Sequence, residues 1–392
     1  MPRTLGQRMT TTRGRVCFFS SYLWPSFSEG AIEFAGGAEV QQAVLARGLA
    51  ARGFEVSVVT CDYGQGRRVE RDGITFHATH PPAGGIPVLR FLHPRLSGNL
   101  RALLAARADV IYERGSGMQA GLALDVARWT RAGFVFAASH DHDARRDMPK
   151  VGLMRDRWWY ARALRGADSV IAQTSFQQAE FRDEWGRDST VIPNLVELPA
   201  AAVDAGQPGA VLWLSTYKDS KYPGMVVDLA RSLPAIRFLM AGVIPPPPLT
   251  AEVFERTRAA AAGLPNLEVQ GHIARKDLGA FFSGGALFLH TSPAEGFPNT
   301  LLEAWAHALP SVSMVDPDGL AASESLGELA EDQAQVTRAL RAWMGNPARR
   351  RAAGERARRH VELRHRPAAI VERVATLLEG VIQKRRGAAL HR

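Results

Sequence analysis

Short apolar runs alternate along the chain with stretches whose apolar residues recur at helical spacing. Val16 to Ser20, Phe54 to Cys61, Asp109 to Tyr112, Phe134 to Ala138 and Ser169 to Ala172 read as buried strands, and Thr190 to Ile192 closes that series. Between them Val40, Val44, Leu45 and Leu49 form one helical stripe that stops at Gly53. Further helices are predicted over Met118 to Thr130, over Arg155 to Leu164 and from Ser175 onward. The alternation restarts with a strand over Ala210 to Ser215, a helix over Pro223 to Leu233 and strands over Arg237 to Ala241 and Leu267 to Gln270. Pro245 to Pro248 reads as a stiff turn, Asp277 to Phe282 as a short helix and Ala286 to His290 as a strand. Helical stretches over Asp332 to Met344, Arg349 to His365 and Ala368 to Lys384 finish the chain. Strands that alternate with helices build parallel sheets covered on both faces, so the pattern predicts an α/β protein with two doubly wound sheets.

A chain of 392 residues exceeds one ordinary core and fits two domains of about 150–200 residues each. The expected division is an N-terminal domain over 1–195, a linker over 196–209, a C-terminal domain over 210–367 and a last helix over 368–392. Ala200 to Gly209 (AAAVDAGQPG) has linker composition, so a protease is expected to cut first near 194–209.

Apolar residues at 46% and charged residues at 22% exclude a disordered chain. The formal charge of +9 suits an anionic partner: a nucleotide diphosphate, an anionic membrane face or nucleic acid. Nucleic acid is set aside, because no zinc finger, RRM-like aromatic pattern or basic recognition helix accompanies the charge. Cys17 and Cys61 lack CxxC spacing and read as reduced core thiols, in keeping with a cytoplasmic location, with peripheral attachment at the inner membrane face as an option. No apolar run reaches the ~20 residues of a membrane span. The run Val16 to Phe19 is too soon interrupted for a secretory signal; residues 1 to about 13 are expected to be a disordered leader, with Met9 an alternative start. Arg155 to Leu164, with Trp158, Trp159 and Tyr160, is open to two readings: a surface helix with a packed aromatic side, or a contact with acceptor or membrane.

The densest chemistry lies in Phe288 to Pro310, FLHTSPAEGFPNTLLEAWAHALP. The strand gives way to a loop through Pro293, and from Thr300 the residues Leu301, Leu302, Trp305, Ala308 and Leu309 recur at helical spacing. Glu295 and Glu303 therefore straddle a helix start at the carboxyl edge of a parallel strand. Free N–H groups there suit a phosphate, and carboxylates beside it suit sugar hydroxyls. A plainer reading has Glu303 closing a capping box with Thr300.

Two other clusters are weaker. Gly115, Gly117 and Gly121 miss the dinucleotide fingerprint by one residue, and no acid follows at the required distance. Ser139-His140-Asp141-His142-Asp143, read as extended, puts both histidines on one side and both acids on the other, a poor shape for one metal ion.

The order strand, Pro293, Glu295, Gly296, Phe297, then Glu303 and Ala-Trp-Ala resembles the Glu-x7-Glu signature of retaining, nucleotide-sugar-dependent glycosyltransferases of family 4. That resemblance implies the GT-B fold, two Rossmann-like domains facing across a cleft. It places Glu295 near the donor sugar, Glu303 on the nucleotide ribose, and Phe297, Asn299 and Thr300 at the phosphate end of the helix. The turn Gly36-Gly37-Ala38-Glu39 is similar to the family's donor-facing GGAE turn, and His140 matches a histidine near the transferred sugar. Lys221 stands where the family has its diphosphate lysine; the paired arginine is replaced by Thr216, with Lys218 a partial substitute. VIPN ending at Asn194 resembles the end-of-domain motif, Val315 to Gly319 (VDPDG) one branch of the family, and Ala308 replaces a usual glycine.

The implied activity is retaining transfer of a sugar from a nucleotide-diphosphate donor to an acceptor hydroxyl in polysaccharide or glycolipid synthesis. The donor is a co-substrate, the acceptor a glycan or lipid-linked molecule, and neither cofactor nor metal is expected. A non-catalytic GT-B pseudoenzyme acting as a partner subunit is the alternative. A sugar epimerase on the same fold would need a further acid/base set that the sequence does not offer.

Overall fold

The structure, a computed structural model, describes residues 12–28, 36–82, 84, 91–244 and 251–390. The turn expected at Pro245 to Pro248, Phe34 and Ala35 of the glycine turn, and residues 1–11 of the expected leader, Met9 included, lie outside them.

The first half of the chain runs β1 (Arg15–Phe19), α1 (Gly37–Ala50), β2 (Glu55–Thr60), β3 (Arg68–Arg71), β4 (Ile74–Ala78), α2 (Ser97–Ala105), β5 (Val110–Arg114), α3 (Met118–Thr130), β6 (Gly133–Ala137), α4 (Met154–Gly166), β7 (Ser169–Ala172), α5 (Ser175–Trp185) and β8 (Thr190–Val191). Among the described residues these strands make one eight-stranded sheet in the order β3, β4, β2, β1, β5, β6, β7, β8. It is parallel except for the β3–β4 hairpin. β1 shows why the strands read as unbroken apolar runs. Val16 and Phe18 enter the core on the α1 side, while Cys17 and Phe19 enter the core under α3 and α4, so both faces are buried.

The second half runs β9 (Ala210–Leu214), α6 (Pro223–Ser232), β10 (Phe238–Ala241), α7 (Glu252–Ala261), β11 (Leu267–Val269), α8 (Leu278–Ser283), β12 (Gly285–His290), α9 (Asn299–Ala306), β13 (Ser311–Ser313), α10 (Leu320–Ser323), β14 (Gly327–Leu329), α11 (Gln333–Met344) and α12 (Pro347–Arg364). Its described strands form an all-parallel sheet in the order β11, β10, β9, β12, β13, β14. The last helix, α13 (Pro367–Leu390), returns to the first sheet, where Ile370, Val371, Val374, Leu378, Val381 and Ile382 complete the core beside α1. Burying side chains of this kind contributes about 1.5–3 kcal/mol each, so the chain's last helix belongs to the first core.

Residues 196–209 are a strap, not a loose tether. Val196 and Ala205 are buried in the second core, and the Val203 N–H donates to the His307 carbonyl at 2.9 Å. Arg358 donates to the Pro199 carbonyl at 3.1 Å, Arg350 to the Ala205 carbonyl at 2.8 Å, and Arg351 pairs with Asp204 at 2.8 Å. This segment of linker composition is thus held along α12. The chain passes between the sheets twice, at Asn194–Val196 and at His365–Pro367, and the two passages are bonded to each other. His365 Nδ1 donates to the Asn194 carbonyl at 2.6 Å, and the Val196 N–H donates to the His365 carbonyl at 3.0 Å.

Ala308, in the place of a glycine, ends α9 with φ at +64°, a left-handed backbone that costs a residue with a Cβ about 1–2 kcal/mol. Ala308→Gly is therefore expected to raise stability by about 1 kcal/mol, read as a higher melting temperature. A lower one would mean that the methyl's packing outweighs the strain.

Candidate active site

In the first sheet β1 lies between β2 and β5, and in the second β9 lies between β10 and β12. At such positions the loops leaving the carboxyl ends diverge to opposite faces and open a crevice. The loops after β9 and β12 carry Lys221 and Glu295; β1 leads toward the Gly36–Gly37 turn, and β5 ends in Arg114.

On the second domain, Lys221 sits in a short 3-10 turn, Asp219–Lys221. That turn is hung from the end of β12: Thr291 Oγ1 donates to the Lys221 carbonyl at 2.6 Å and accepts from Trp213 Nε1 at 2.8 Å. Lys221 Nζ is ion-paired with the Glu295 carboxylate, and His290 Nε2 lies 3.9 Å from the same oxygen. Burial, reinforced by Lys218 and Lys150, pushes the Lys221 ammonium down to about 8. Burial pushes His290 down to about 3, so it is neutral. Beside this pair, the first ladder bond of α9 runs from the Leu302 N–H to the Pro298 carbonyl, which leaves the amides of Asn299, Thr300 and Leu301 outside the ladder. Glu303 stands on α9 with its carboxyl raised by burial, and among the described residues no hydrogen-bond donor reaches it.

The first domain closes onto this edge. Asn299 Nδ2 donates to the Gly37 carbonyl at 2.7 Å, and its Oδ1 accepts from Asn194 Nδ2 at 2.9 Å and Gln41 Nε2 at 3.2 Å. Gly37 begins α1, so two helix N-termini meet here, and a Cβ at Gly37 would lie 2.6 Å from Asn299 Nδ2. His140 Nδ1 accepts from the His142 N–H at 3.2 Å, which leaves the proton on Nε2, 3.2 Å from the Ala294 carbonyl that accepts it. Burial and the neighbouring His142 push His140 down to about 4. Gln173 Oε1 accepts the Phe297 N–H at 3.1 Å, and Asn194 Nδ2 donates to the Phe297 carbonyl at 3.0 Å. Asp318, from the second domain, accepts the Ser175 and Phe176 N–H groups at the start of α5 at 2.9 and 3.1 Å. Between these contacts lies a cleft of about 820 Å³ lined by His140, Asp141, Arg145, Glu295, Asp316 and Asp318 among others.

The structure brings Gly36, Gly37, His140, Lys221, Glu295 and Asn299 to one interdomain edge; it adds packing detail at Phe297 and Asn299 and corrects the capping box and the extended reading of 140–143. The Phe297 ring is buried in the core, with centroids 6.2 Å from Trp305 and 5.3 Å from His365. The Asn299 side chain is spent bridging the domains, leaving its amide for an anion. The Thr300–Glu303 capping box is absent: Pro298 is the N-cap, Thr300 is already inside the helix, and no side chain caps this end. Asp141–Asp143 form a 3-10 turn capped by His140, whose own backbone is extended, so the segment is not extended throughout. In it the histidine rings stack at 4.3 Å, and buried Asp143 accepts the Ser139 and His140 N–H groups. Among the described residues no group of three or more His, Cys, Asp or Glu is placed to hold a metal ion, and no helix is long and apolar enough to cross a membrane.

Sequence reasoning passed over Gln173 and Gln177, and it named Asn194 and Asp318 only as parts of motifs, without the interdomain contacts that Gln173, Asn194 and Asp318 make. Asp141, weighed there only as a metal ligand, lines the cleft, accepts from Gln177 at 2.9 Å and is pushed up to about 6 by burial.

Two family models match the chain, a glycosyl transferase 4-like domain over residues 36–194 and a glycosyl transferase-like model over residues 224–378. Among solved structures, the fold is similar to that of sucrose-phosphate synthase from Thermosynechococcus elongatus, with a TM-score of 0.76 at 19% identity over 94% of this chain and 99% of that one. It is also similar to Anabaena HepE in complex with UDP and glucose, with a TM-score of 0.70 at 16% identity over 93% and 99% of the two chains. A trehalose 6-phosphate synthase from Burkholderia multivorans gives 0.68 at 14% identity over 97% and 98%. Sequence comparison with curated proteins finds no match.

Proposed function

Because the chain belongs to the nucleotide-sugar glycosyltransferases with the GT-B fold, we propose that it transfers a sugar with retention to a hydroxyl of a glycan or lipid-linked acceptor, in polysaccharide or glycolipid synthesis. The observation that carries this is the meeting of Lys221, Glu295 and the α9 N-terminus with the Gly36–Gly37 turn and His140 at one interdomain edge. In this reading the diphosphate takes Lys221 from Glu295, and the α1 and α9 amides receive the rest of its charge. Glu295, released, turns to the sugar hydroxyls, and Glu303 holds the ribose. As the anomeric carbon–oxygen bond breaks, negative charge grows on the diphosphate, where the ammonium and amides already point. The HepE complexes with UDP-glucose and with UDP make a UDP-sugar the first donor to try.

A thermal-shift series with UDP-, GDP- and ADP-sugars tests the reading, since a ligand of the folded state raises the melting midpoint. No shift with any of them would end it. A shift without release of nucleoside diphosphate in the presence of acceptors would favour the non-catalytic alternative, which Thr216 in the arginine position supports. Transfer is expected to survive EDTA, because the proposed ligands are an ammonium and amides; complete loss restored by Mg²⁺ or Mn²⁺ would put a metal in the mechanism.

Glu303→Gln separates binding from folding. Burial raises this carboxyl, so folding favours its protonated form, and its ionised form costs stability at any pH above its unfolded value of about 4.3. Glutamine mimics the neutral form, so the melting temperature is expected to hold or rise. Donor affinity is expected to fall about tenfold, from losing a charge-assisted bond of ~1–2 kcal/mol to a ribose hydroxyl. Unchanged affinity for every nucleotide would remove the ribose role.

A further inference from the structure

Among the described residues, the outer side of α4 is left largely uncovered. Leu153 and Met154 are 59% and 77% exposed and Trp158 62%, and Leu92 beside them is 60% exposed. Arginines are interleaved with them: Arg155 lies over the Phe91 ring at 3.3 Å, Arg162 over the Trp158 ring at 5.5 Å, and Arg165 is exposed one turn further on. Phe91 in turn meets Trp159 at 6.2 Å, which ties Phe91, next to exposed Leu92, to the same helix. The inner side of the same helix is bolted to the wall of the cleft. Arg157 Nε donates to the Val151 carbonyl at 2.7 Å, and Tyr160 Oη donates to the Asp143 carbonyl at 2.6 Å.

We infer that this face of α4, with Leu92 and Leu153, docks on an anionic lipid bilayer beside the mouth of the cleft. Protruding Trp, Met and Leu tips at the level of arginines suit the boundary between acyl chains and headgroups, where rings bury and guanidinium groups meet phosphates. Asp156 and Asp125 each pair with one of these arginines, yet α4 itself holds four arginines against one aspartate, so the helix stays cationic. Four protruding side chains also offer much less than the ~800 Å² per partner of a stable protein interface, while shallow insertion needs no more. The inference would give the lipid-linked acceptor of the proposed function a place to enter, but it stands on the surface alone and does not rest on that function.

Flotation with vesicles of phosphatidylglycerol and phosphatidylcholine, and of phosphatidylcholine alone, tests it on the full chain. The protein is expected to float with the anionic vesicles, to stay down with the neutral ones, and to be released by salt. Met154→Ser with Trp158→Ser is expected to lower partitioning about tenfold or more at unchanged melting temperature. Arg155→Gln and Arg165→Gln are expected to lower it about fivefold each, the equivalent of ~1 kcal/mol per cation at an anionic surface. The inference fails if the parent does not float, or if the double serine variant floats like the parent, which would assign binding to another basic surface such as α12. It also fails if the face instead makes a concentration-dependent dimer that the serines abolish. A donor thermal shift on the same variants, without vesicles, keeps failure of the transferase reading separate.

Discussion

Lys221→Met is expected to slow transfer about 10²–10³-fold, the size of effect seen when one preplaced group that meets developing negative charge is removed. Methionine keeps the apolar stem in its pocket and deletes only the ammonium. Initial rates of nucleoside diphosphate release read the loss. The substitution also leaves the Glu295 carboxylate without its ion pair in a half-buried place, so a stability loss of about 1–2 kcal/mol should accompany it. Adding Glu295→Gln is expected to restore stability without restoring rate, which separates the two roles of the lysine. A matching pH signature is expected of the parent. Its ammonium is pushed down to about 8, and the charged form is the one required, so kcat/KM is expected to be full below that value and to fall as pH rises through it. Bound diphosphate favours the ammonium, so the same limb in kcat moves to higher pH. A variant within tenfold of the parent, with an unchanged alkaline limb, would take Lys221 out of the mechanism.

Gly296→Ala is expected to lower kcat/KM about 100-fold, because a methyl at this point keeps the domains from meeting and an ångström of misplacement costs that much. A Cβ at Gly296 would stand 2.5 Å from Gln173 Oε1, 2.8 Å from Gln177 Nε2 and 3.1 Å from the His140 Cα. All three belong to the first domain, so the second domain cannot absorb the clash alone. The donor groups Lys221 and Glu303 lie on the second domain, so nucleotide binding should change little while turnover falls. Small-angle scattering should show a larger radius of gyration than the parent. Near-parental turnover at the parent's radius would mean that the glutamines swing aside and that Gly296 is no closure point.

The long apolar strands were legible because a strand buried on both faces leaves an unbroken run, and β7 and α3 begin and end where the pattern puts them. The β3–β4 hairpin was not, because Arg68–Arg71 is charged and only partly covered. Nor were β13 and β14, three residues each, of which the first, Ser-Val-Ser, has polar ends although it is buried. The site divides in the same way. Glu295, Lys221 and the glycine turn carry a signal within a few residues of sequence. The pairing of Lys221 with Glu295, the Asn299–Gly37 bridge and the Asp318 contact with α5 join residues 74, 262 and about 143 positions apart, and no local pattern encodes them. The capping box was a local pattern that failed, since Pro298 took the cap position and sent Asn299 to the other domain.

The two bonded passages at Asn194–Val196 and His365–Pro367 have a mechanical meaning. A single connection would let one half of the molecule swivel and slide freely against the other. Two connections lying side by side act like adjacent pins of a door, and what remains cheap is one rotation about the line through them. Opening and closing then always present the same two faces to each other, so that Gly37 meets Asn299 and His140 meets Ala294 without a search. A cut anywhere between residues 197 and 209 would spare the second pin and the α12 contacts that hold the strap, so the halves would stay in register after the chain is broken.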